Sequence, residues 1–423
     1  MTTKHPILCI VGLGYVGMPL AYAFARKGYT VLGYDINPER IKELQKGKDR
    51  TRELSSRELK SVSVTYTTAP TILRKADIII IAMPTPVDEE NKPDLSMLEN
   101  ATRTAGKHLR KGNIVVYEST VYPGVTEEFC GSILAKESGL RLGKDFTLGY
   151  SPERINPGDR KHTVSTIMKV VAGQDERTQK ILVRLYGAIV HAGIHEAPSI
   201  KVAEMAKAIE NAQRDLNIAY INEIAMMCAK IGISTRDVLA AAGTKWNFLR
   251  FTPGLVGGHC IGVDPYYLVE KARQLGMTTH VITAGRAVNE SMGCFVAEQI
   301  MSALQGKNSK RILVLGLTFK EDVPDTRNSK VEDVLKHLLA SGCTVDVHDP
   351  YVSENKIRER GLSAGSLDSD PYDALVLLVP HKEYRENLPS LLRATKTGGI
   401  IYDLKAVLDA ATITKAKRRY STL

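Results

Sequence analysis

The chain has 423 residues, of which 43% are hydrophobic and 25% charged, and 57 basic against 47 acidic residues give a net charge of +10. This composition excludes a disordered chain, a collagen and a small disulfide-bonded scaffold, and the length predicts two to four domains. No apolar run reaches the roughly 18 residues of a membrane helix, so we expect no membrane partner. Six dispersed cysteines without a C-x-x-C pair predict thiols in a reducing compartment, the cytoplasm.

The positive charge raises the question of a nucleic-acid partner. The basic residues are scattered, apart from a short run at Lys415–Arg419, and one Trp and seven Phe leave little aromatic surface for stacking on bases. We therefore expect no nucleic acid, and we expect anionic small molecules as ligands.

The N-terminal segment carries a glycine motif between two predicted strands. Strand Ile7–Val11 leads into Gly12-Leu13-Gly14-Tyr15-Val16-Gly17, helix Met18–Lys27 and strand Thr30–Tyr34, which ends at Asp35. The glycines of G-x-G-x-x-G let the backbone approach a pyrophosphate at a helix N-terminus, and the acid accepts hydrogen bonds from a ribose 2′-hydroxyl, which favours NAD over NADP. One alternative is a glycine-rich turn in a plain α/β domain. The other, a secretory signal ending at Ala23-Phe24-Ala25, is disfavoured by the glycines and Pro19.

Two further strands end in turn-rich loops. Strand Ile78–Ala82 precedes Pro84-Thr85-Pro86, and strand Ile114–Tyr117 precedes a loop containing Thr120. Ligands of doubly wound sheets bind beyond the carboxyl ends of the strands. We therefore predict that these loops converge with the glycine motif and Asp35 on one crevice.

The rest of the chain predicts a helical middle and a second copy of the first domain. Ser199–Gly232 has the periodicity of one long helix, and Gly306–Ser309 is typical of a linker. Beyond it, GCTVDVHDP ending at Pro350 resembles GYTVLGYDINP ending at Pro38, and the second copy lacks the G-x-G-x-x-G motif. The predicted fold class is α/β, with two Rossmann-like doubly wound domains joined by a long central helix and a helical middle domain. The predicted boundaries are 1–198, 199–305 and 306–423.

One cysteine lies in an unusual context. Cys260 follows Gly257-Gly258-His259 and precedes Asp264 by four residues. The small residues beside Cys260 leave its sulfur exposed and let a substrate approach. We expect the other five cysteines to be buried among hydrophobic side chains. A thiol beside a dinucleotide site indicates covalent oxidation past the aldehyde, because an aldehyde gives up a second hydride only after a nucleophile has added to its carbon.

Eight segments now carry a resemblance that spans nearly the whole chain. The sequence resembles the UDP-glucose/GDP-mannose dehydrogenase family, in family order, at Gly12–Gly17, Asp35, Pro84–Pro86, Ser119-Thr120, Ser151–Glu153, Glu204–Asn211, Gly257–Asp264 and Phe319–Arg327. Within it, Gly-Gly-His-Cys resembles the branch that oxidises UDP-N-acetylhexosamines for bacterial surface polysaccharides. The UDP-glucose branch has Ser or Ala before the cysteine and a lysine before the aspartate, where this chain has Val263.

The resemblance implies a role for each matching residue. The implied catalytic residues are Cys260, Lys207, Asp264, Glu153, Thr120 and Asn211. The implied cofactor contacts are Gly12, Gly14, Tyr15, Val16, Gly17, Asp35, Arg40, Pro84, Thr85, Thr120, Glu153 and Arg327. The implied substrate contacts are Glu153, Arg154, Lys207, Asn211, Arg250, Phe251, Gly257, His259, Phe319, Lys320 and Lys405.

Several of these roles have plainer alternatives. Lys207 and Asn211 are one helical turn apart, so an ammonium and an amide share one face and can stabilise a developing oxyanion, but Lys207 also fits a solvated helix charge. Glu153, implied in thioester hydrolysis, also fits a helix cap. His259 fits a steric or hydrogen-bonding role beside an N-acetyl group better than a general base. His191 and His195 have helical spacing, but with no further ligand we expect no metal.

The expected function is the NAD-dependent oxidation of the C6 alcohol of UDP-N-acetylglucosamine or UDP-N-acetylgalactosamine to the uronic acid, with two NAD per cycle. The alternatives are a UDP-N-acetylmannosamine or UDP-glucose 6-dehydrogenase, a two-electron hydroxyacid dehydrogenase, and a catalytically silent regulator that binds nucleotide sugars. Arg250, which resembles an arginine reaching a partner's sugar nucleotide, and the long helix predict a homodimer.

Overall fold

The computed structural model describes residues 5–155, 164–304 and 311–423. They form two compact units, one comprising Met1–Glu210 with Tyr266–Met277 and the other Asn211–Pro265 with Thr278–Leu423. The predicted linker Gly306–Ser309 lies outside the described residues. The three predicted domain boundaries stay predictions.

The first unit contains a mostly parallel sheet with helices between its strands. Its strands are β1 (Leu8–Val11), β2 (Val31–Tyr34), β3 (Val64–Thr67), β4 (Ile78–Ile81), β5 (Ile114–Tyr117), β6 (Thr147–Tyr150), β7 (Lys169–Gly173) and β8 (Ile194–Glu196). Its helices are α1 (Gly17–Arg26), α2 (Pro38–Gln45), α3 (Ser56–Lys60), α4 (Ser96–Gly106), α5 (Gly131–Ser138) and α6 (Glu176–Gly187), with a 3₁₀ turn at Pro70–Lys75 and a π-helical turn at Val125–Cys130.

The strand order accounts for the predicted crevice, because β2, β1, β4 and β5 are parallel neighbours and the loops that follow them leave the same edge of the sheet. The sheet runs β3-β2-β1-β4-β5-β6-β7-β8, and among these described strands only the β6–β7 pair is antiparallel. β1 and β4 are buried along their whole length, as expected for strands covered on both faces by helices. Because β1 and α1 are integral parts of this layered core, the alternative of a cleaved secretory signal is wrong.

The middle of the chain is helical. Its helices are α7 (Ile200–Ile231), α8 (Thr235–Ala242), α9 (Asp264–Gln274) and α10 (His280–Ala303). The predicted long helix is confirmed, and it has 32 residues. Ser199 Oγ accepts the amide of Val202 at its start, and Gly232 ends it with φ +80°, the left-handed conformation that glycine adopts without strain.

The last third repeats the architecture of the first. Its strands are β9 (Arg311–Leu315), β10 (Thr344–His348), β11 (Ser363–Ala364), β12 (Tyr372–Leu377), β13 (Thr395–Asp403) and β14 (Arg419–Thr422). Its helices are α11 (Val331–Ala340), α12 (Glu354–Glu359), α13 (Lys382–Arg385), α14 (Leu388–Arg393) and α15 (Ala410–Lys415). The parallel order β11-β10-β9-β12-β13-β14 reproduces the order β3-β2-β1-β4-β5-β6 of the first six strands of the N-terminal sheet.

The repeat extends to individual hydrogen bonds. Asp35, after β2, accepts the amide of Leu13 at 2.9 Å, and Asp349, after β10, accepts the amide of Leu317 at 2.6 Å. The fold class predicted from the sequence, two doubly wound α/β domains with a helical middle, is therefore confirmed. Within the described residues, no helix combines the length and the apolarity that a membrane crossing requires.

Candidate active site

The glycine loop between β1 and α1 has the shape of a phosphate cradle. A Cβ on Gly12, where φ is +89°, would lie 2.7 Å from the Ala82 carbonyl oxygen, and one on Gly17 would lie 1.8 Å from the Gly12 oxygen. A Cβ on Gly14 would meet no atom within 4 Å. Two glycines therefore permit the tight turn, and the third leaves open space beside the N-terminus of α1, where amides favour an anion. The residues present fit the pyrophosphate of NAD.

Asp35 and Arg40 hold this loop from the next strand and helix. The Asp35 carboxylate accepts the amides of Leu13 and Asn37, both at 2.9 Å. Arg40 is buried, donates from Nε to the Leu13 carbonyl at 2.8 Å and lies 2.8 Å from Asp49. The structure thus shows Arg40 positioning the glycine loop, while its predicted contact with the cofactor stays a prediction.

The loops after β4 and β5 lie together, as predicted. The Ser119 hydroxyl donates to the Met83 carbonyl at 2.7 Å, and the Thr85 hydroxyl donates to the Thr120 carbonyl at 2.7 Å. Sequence reasoning assigned no role to Glu204, a fully buried carboxylate on α7. Glu204 accepts the amides of Gly124 and Thr126 at 2.6 and 2.9 Å, and so it anchors the loop that carries Thr120.

Glu153 and Arg154 follow β6. Glu153 Oε1 accepts the amides of Arg154 and Ile155 at 2.6 and 2.7 Å, and residues 151–155 are not helical. Arg154 donates to the Met168 carbonyl and pairs with Glu210 at 2.9 Å. The segment is therefore held in a defined conformation by its own backbone and by α7.

The long helix α7 buries polar residues at helical spacing. Glu204 and Asp215 are fully buried, and Lys207 and Asn211 are 7% and 8% exposed. The alternative of Lys207 as a solvated charge is therefore wrong. A recurrence of polar side chains at steps of three, four and seven along one helix is the sequence pattern that indicates such a buried polar face.

Cys260 lies in a turn that leads directly into α9. Its carbonyl accepts the amides of Val263 and Asp264 at 3.1 and 2.9 Å, and the residue is exposed. Asp264, at the start of α9, is buried and accepts a hydrogen bond of 2.5 Å from Asn211. Two of the predicted catalytic residues are thus brought into contact, four residues from an accessible thiol.

The glycines before Cys260 are required by close packing. Gly258 has φ +83°, and a Cβ there would lie 2.6 Å from the Phe319 ring. Its amide donates to the Asn328 carbonyl at 3.0 Å, and the Asn328 side chain returns a hydrogen bond of 2.8 Å to its carbonyl. Sequence reasoning missed Asn328. Asn328 adopts φ +50°, which Asn tolerates better than most residues, but no motif in the sequence marks that conformation.

We expect Gly258→Ala to unfold the Cys260 turn. The added methyl overlaps the Phe319 ring and forces a left-handed alanine, which together cost about 2–5 kcal/mol. Thermal unfolding should show a lowered Tm, and the turnover rate should fall with it. Gly361→Ala is the matched control, since it carries a similar φ of +73° but a Cβ there meets no atom within 4 Å. Equal losses in both variants would contradict the packing argument.

A pocket in the second unit gathers several predicted substrate contacts. Its lining includes Gly257, Phe319, Lys320 and Lys405. Lys405 is ion-paired with Glu321. Burial raises the pKa of Glu321, but the charge and hydrogen bond of Lys405 outweigh it and bring that pKa below its ordinary value. The pocket therefore places Lys320 and the Lys405–Glu321 ion pair beside an aromatic ring, and its two lysines are suited to a nucleoside diphosphate.

The other predicted contacts lie on the surface or pair within the chain. Arg250 is exposed and donates to the Gly243 carbonyl at 2.9 Å, next to half-buried Phe251. Arg327 pairs with Asp325 at 2.7 Å. His259 packs edge-on against Phe319, 6.0 Å between ring centres. Burial and the charge of Arg327 lower the pKa of His259, although the nearby Asp325 carboxylate opposes this change. The His259 imidazole is therefore neutral at pH 7. In the described part of the chain, no group of three or more His, Cys, Asp or Glu side chains has metal-binding geometry.

Comparisons with known proteins cover nearly the whole chain. Models of the UDP-glucose/GDP-mannose dehydrogenase family match at residues 7–190 (NAD binding domain), 201–291 (central domain) and 313–410 (UDP binding domain). The chain is 49% identical to the UDP-N-acetyl-D-glucosamine 6-dehydrogenase of Pseudomonas aeruginosa over 95% of this chain and 97% of that one. It is 48% identical to Protein CapL of Staphylococcus aureus, over 97% and 98%.

A solved structure gives the same result. The UDP-D-ManNAc dehydrogenase of Pyrococcus horikoshii is similar with a TM-score of 0.87 and 32% identity, and 98% of each chain is covered. Family models across all three segments, full-length relatives and a full-length structural match agree with the glycine cradle and the Cys260 turn. The chain belongs to the UDP-glucose/GDP-mannose dehydrogenase family and is an NAD-dependent dehydrogenase.

Proposed function

We propose that this protein oxidises the C6 alcohol of a UDP-N-acetylhexosamine, UDP-N-acetylglucosamine or UDP-N-acetylgalactosamine, to the uronic acid with two NAD. The observation that carries the proposal is the accessible Cys260 in a hydrogen-bonded turn, next to the buried Asp264–Asn211 pair. The Pseudomonas relative is named for this reaction on UDP-N-acetylglucosamine. The uronate would serve as a precursor for surface polysaccharides.

The chemistry needs a nucleophile between its two oxidations. The alcohol first loses a proton and a hydride to become an aldehyde. The Cys260 thiolate then adds to the aldehyde carbon, and the thiohemiacetal loses a second proton and hydride to become a thioester. NAD, when bound, accepts the hydride in each oxidation. Water then adds to the thioester carbon, the C–S bond breaks, and the thiolate returns with release of the carboxylate.

The buried residues of α7 and its neighbours supply the polar groups for these steps. Lys207 and Asn211 would donate to the substrate oxygen as it gains negative charge. Thr120 would contact the reacting carbon's hydroxyl. Asp264 would activate water, and Glu153 would take the proton of the water that hydrolyses the thioester. The Lys320–Lys405 pocket would hold the UDP.

His259 favours an N-acetylated sugar over glucose. Its imidazole is neutral, and its Nε2 is buried without a hydrogen-bond partner in the described part of the chain. The acetamido group of an N-acetylated sugar carries an N–H and a carbonyl that can hydrogen-bond with His259 Nε2. Glucose has only a shorter hydroxyl in place of that group. A buried polar atom left unpaired costs about 1–3 kcal/mol, so a substrate that pairs it gains discrimination.

The proposal is tested with a panel of UDP-sugars. We expect UDP-N-acetylglucosamine or its C4 epimer to yield two NADH per uronate, with a kcat/KM at least about 10-fold above that of UDP-glucose. A clear preference for UDP-glucose or UDP-N-acetylmannosamine would move the chain to another branch. One NADH per product would indicate a two-electron dehydrogenase, and no NADH with any sugar would indicate a silent regulator.

A substitution of His259, in the segment that resembles the UDP-N-acetylhexosamine branch, tests the substrate assignment. We expect His259→Ser, which removes the unpaired imidazole, to lower kcat/KM for the N-acetylated sugar by about 10-fold while leaving that for UDP-glucose within about twofold. His337→Ser, on α11 and away from the pocket, is the control and should match the parent. An equal loss on both sugars would show that His259 supports the turn rather than the N-acetyl group.

We further propose a cytoplasmic homodimer. One stripe of α7 exposes large apolar side chains at helical spacing, among them Ile209, Tyr220, Met227 and Ile231. A stripe of this length on a helix whose opposite face is polar and buried is typical of a subunit interface. Sedimentation analysis tests it. The cytoplasm is favoured because catalysis requires Cys260 as a thiol.

A further inference from the structure

Three charged side chains form a buried chain in the first unit. Glu118, at the end of β5, has a fully buried side chain, and that of Lys169, at the start of β7, is 5% exposed. The Lys169 ammonium lies 2.7 Å from Glu118 Oε2 and 3.7 Å from Glu153 Oε2. One ammonium thus lies between two carboxylates, one of which is the proposed base for thioester hydrolysis.

The surrounding hydrogen bonds fix each member. Tyr186, from α6, donates to Glu118 Oε1 at 2.5 Å. The Lys169 ammonium also donates to the Pro152 carbonyl at 3.2 Å, the residue before Glu153. Glu153 Oε1 is occupied by two backbone amides, while its Oε2 is buried and accepts no hydrogen bond from the described residues. The atom that faces Lys169 is therefore also the one left to take a proton.

We propose that Lys169 is a positioning residue for Glu153, and that Glu118 holds Lys169 in place for this task. The inference rests on the proposed function. The ammonium lies beside the Glu153 carboxylate and, through the Pro152 carbonyl, fixes the 152–153 backbone. In the step it supports, one water proton moves to Glu153 Oε2, the hydroxide oxygen bonds to the thioester carbon, and the C–S electron pair leaves with the Cys260 sulfur.

The protonation state of this cluster changes near neutrality. Burial raises the pKa of Glu118 to about 7, although Lys169 and the Tyr186 hydroxyl oppose the rise. Burial lowers the pKa of Lys169, but the two carboxylates outweigh it and keep the ammonium charged. Tyr186, the titratable group facing from α6, stays neutral because burial raises its pKa well above its usual range. As the pH falls through 7, Lys169 comes to face one carboxylate, Glu153, instead of two.

The test is Lys169→Met, which keeps the length of the side chain and removes its charge. In a single turnover with NAD and UDP-N-acetylglucosamine, we expect two NADH per active site to form at a rate close to that of the parent. Thioester hydrolysis should slow by about 10- to 100-fold, the usual effect of a misplaced catalytic group. Mass spectrometry after acid quench should detect a sugar bound to Cys260, and KM should stay within about twofold.

Two further variants make the outcome decisive. Glu153→Gln should accumulate the same adduct, and the double variant should be no slower than Glu153→Gln alone, because Lys169 acts through Glu153. The hydrolysis rate of the parent should show an inflection near pH 7, where Glu118 titrates. The Glu118→Gln variant should lack this inflection. The inference is overturned if Lys169→Met hydrolyses the thioester at the parental rate and accumulates no adduct. It is also overturned if the substitution slows NADH formation and thioester hydrolysis equally. If Lys169→Met does not fold, persistence of the inflection in Glu118→Gln overturns it. Failure of the parent to release two NADH would instead refute the proposed function.

Discussion

Replacing Cys260 by serine is expected to reduce uronate formation by at least about 10⁴-fold, because removal of a covalent nucleophile costs up to about 10⁶-fold in kcat. A serine hydroxyl is scarcely ionised at neutral pH and adds poorly to the aldehyde. The first oxidation uses no thiol, so the variant should stop at the aldehyde. Hydroxylamine trapping with mass spectrometry should detect that aldehyde, and NADH should be counted against it as one per sugar.

The other cysteines make the assignment specific. Burial raises the pKa of Cys9 and of Cys130 to about 12, so both remain thiols at neutral pH and are poor nucleophiles. Cys294, half-buried on α10 with a pKa raised by burial and by Glu298, is the matched control. We expect Cys294→Ser to retain the parental rate. Uronate formed at parental speed by Cys260→Ser would refute covalent catalysis altogether.

The N-terminal domain was predictable because its information is local. The strands β1, β2, β4 and β5 and the helix α1 were predicted within one residue at each end, since turn residues and apolar runs mark their limits. The internal repeat was also predictable, because the segments that end at Pro38 and Pro350 are similar in sequence. In the structure, Asp35 and Asp349 accept equivalent backbone hydrogen bonds after equivalent strands. The resemblance to a family then supplied roles that no spacing of residues could provide.

The residues that support the site escaped prediction because their partners are distant in sequence. Glu118 follows β5 and Lys169 begins β7, 51 residues later, and Asn328 is 70 residues from Gly258. The side-chain amide of Asn222 donates to the Gly254 carbonyl at 3.0 Å and accepts from the Gly254 amide at 2.8 Å. Hydrophobic periodicity gave α7 its length, but it could not tell whether Lys207 faces solvent or the interior, since that depends on which elements pack against the helix.

Lys207→Met is the second substitution with a large expected effect. The methionine fills the space of a side chain that is 7% exposed and removes an ammonium that would meet the substrate oxygen. Loss of one such donor costs about 10²- to 10³-fold in kcat. Because an oxyanion develops at the same carbon in both oxidations, we expect both hydride transfers to slow together, with KM nearly unchanged. Stopped-flow NADH formation measures the two phases separately.

Lys201→Met is the control on the same helix, since Lys201 is exposed and forms only a surface pair with Glu128 at 2.7 Å; such pairs contribute little. We expect it to turn over at the parental rate. The pattern also separates Lys207 from Lys169, because the former should slow both hydride transfers and the latter only the hydrolysis that follows them. If Lys207→Met lowered only the hydrolysis rate, the ammonium would belong with Glu153 and Asp264 in activating water, and the oxyanion would depend on Asn211 alone.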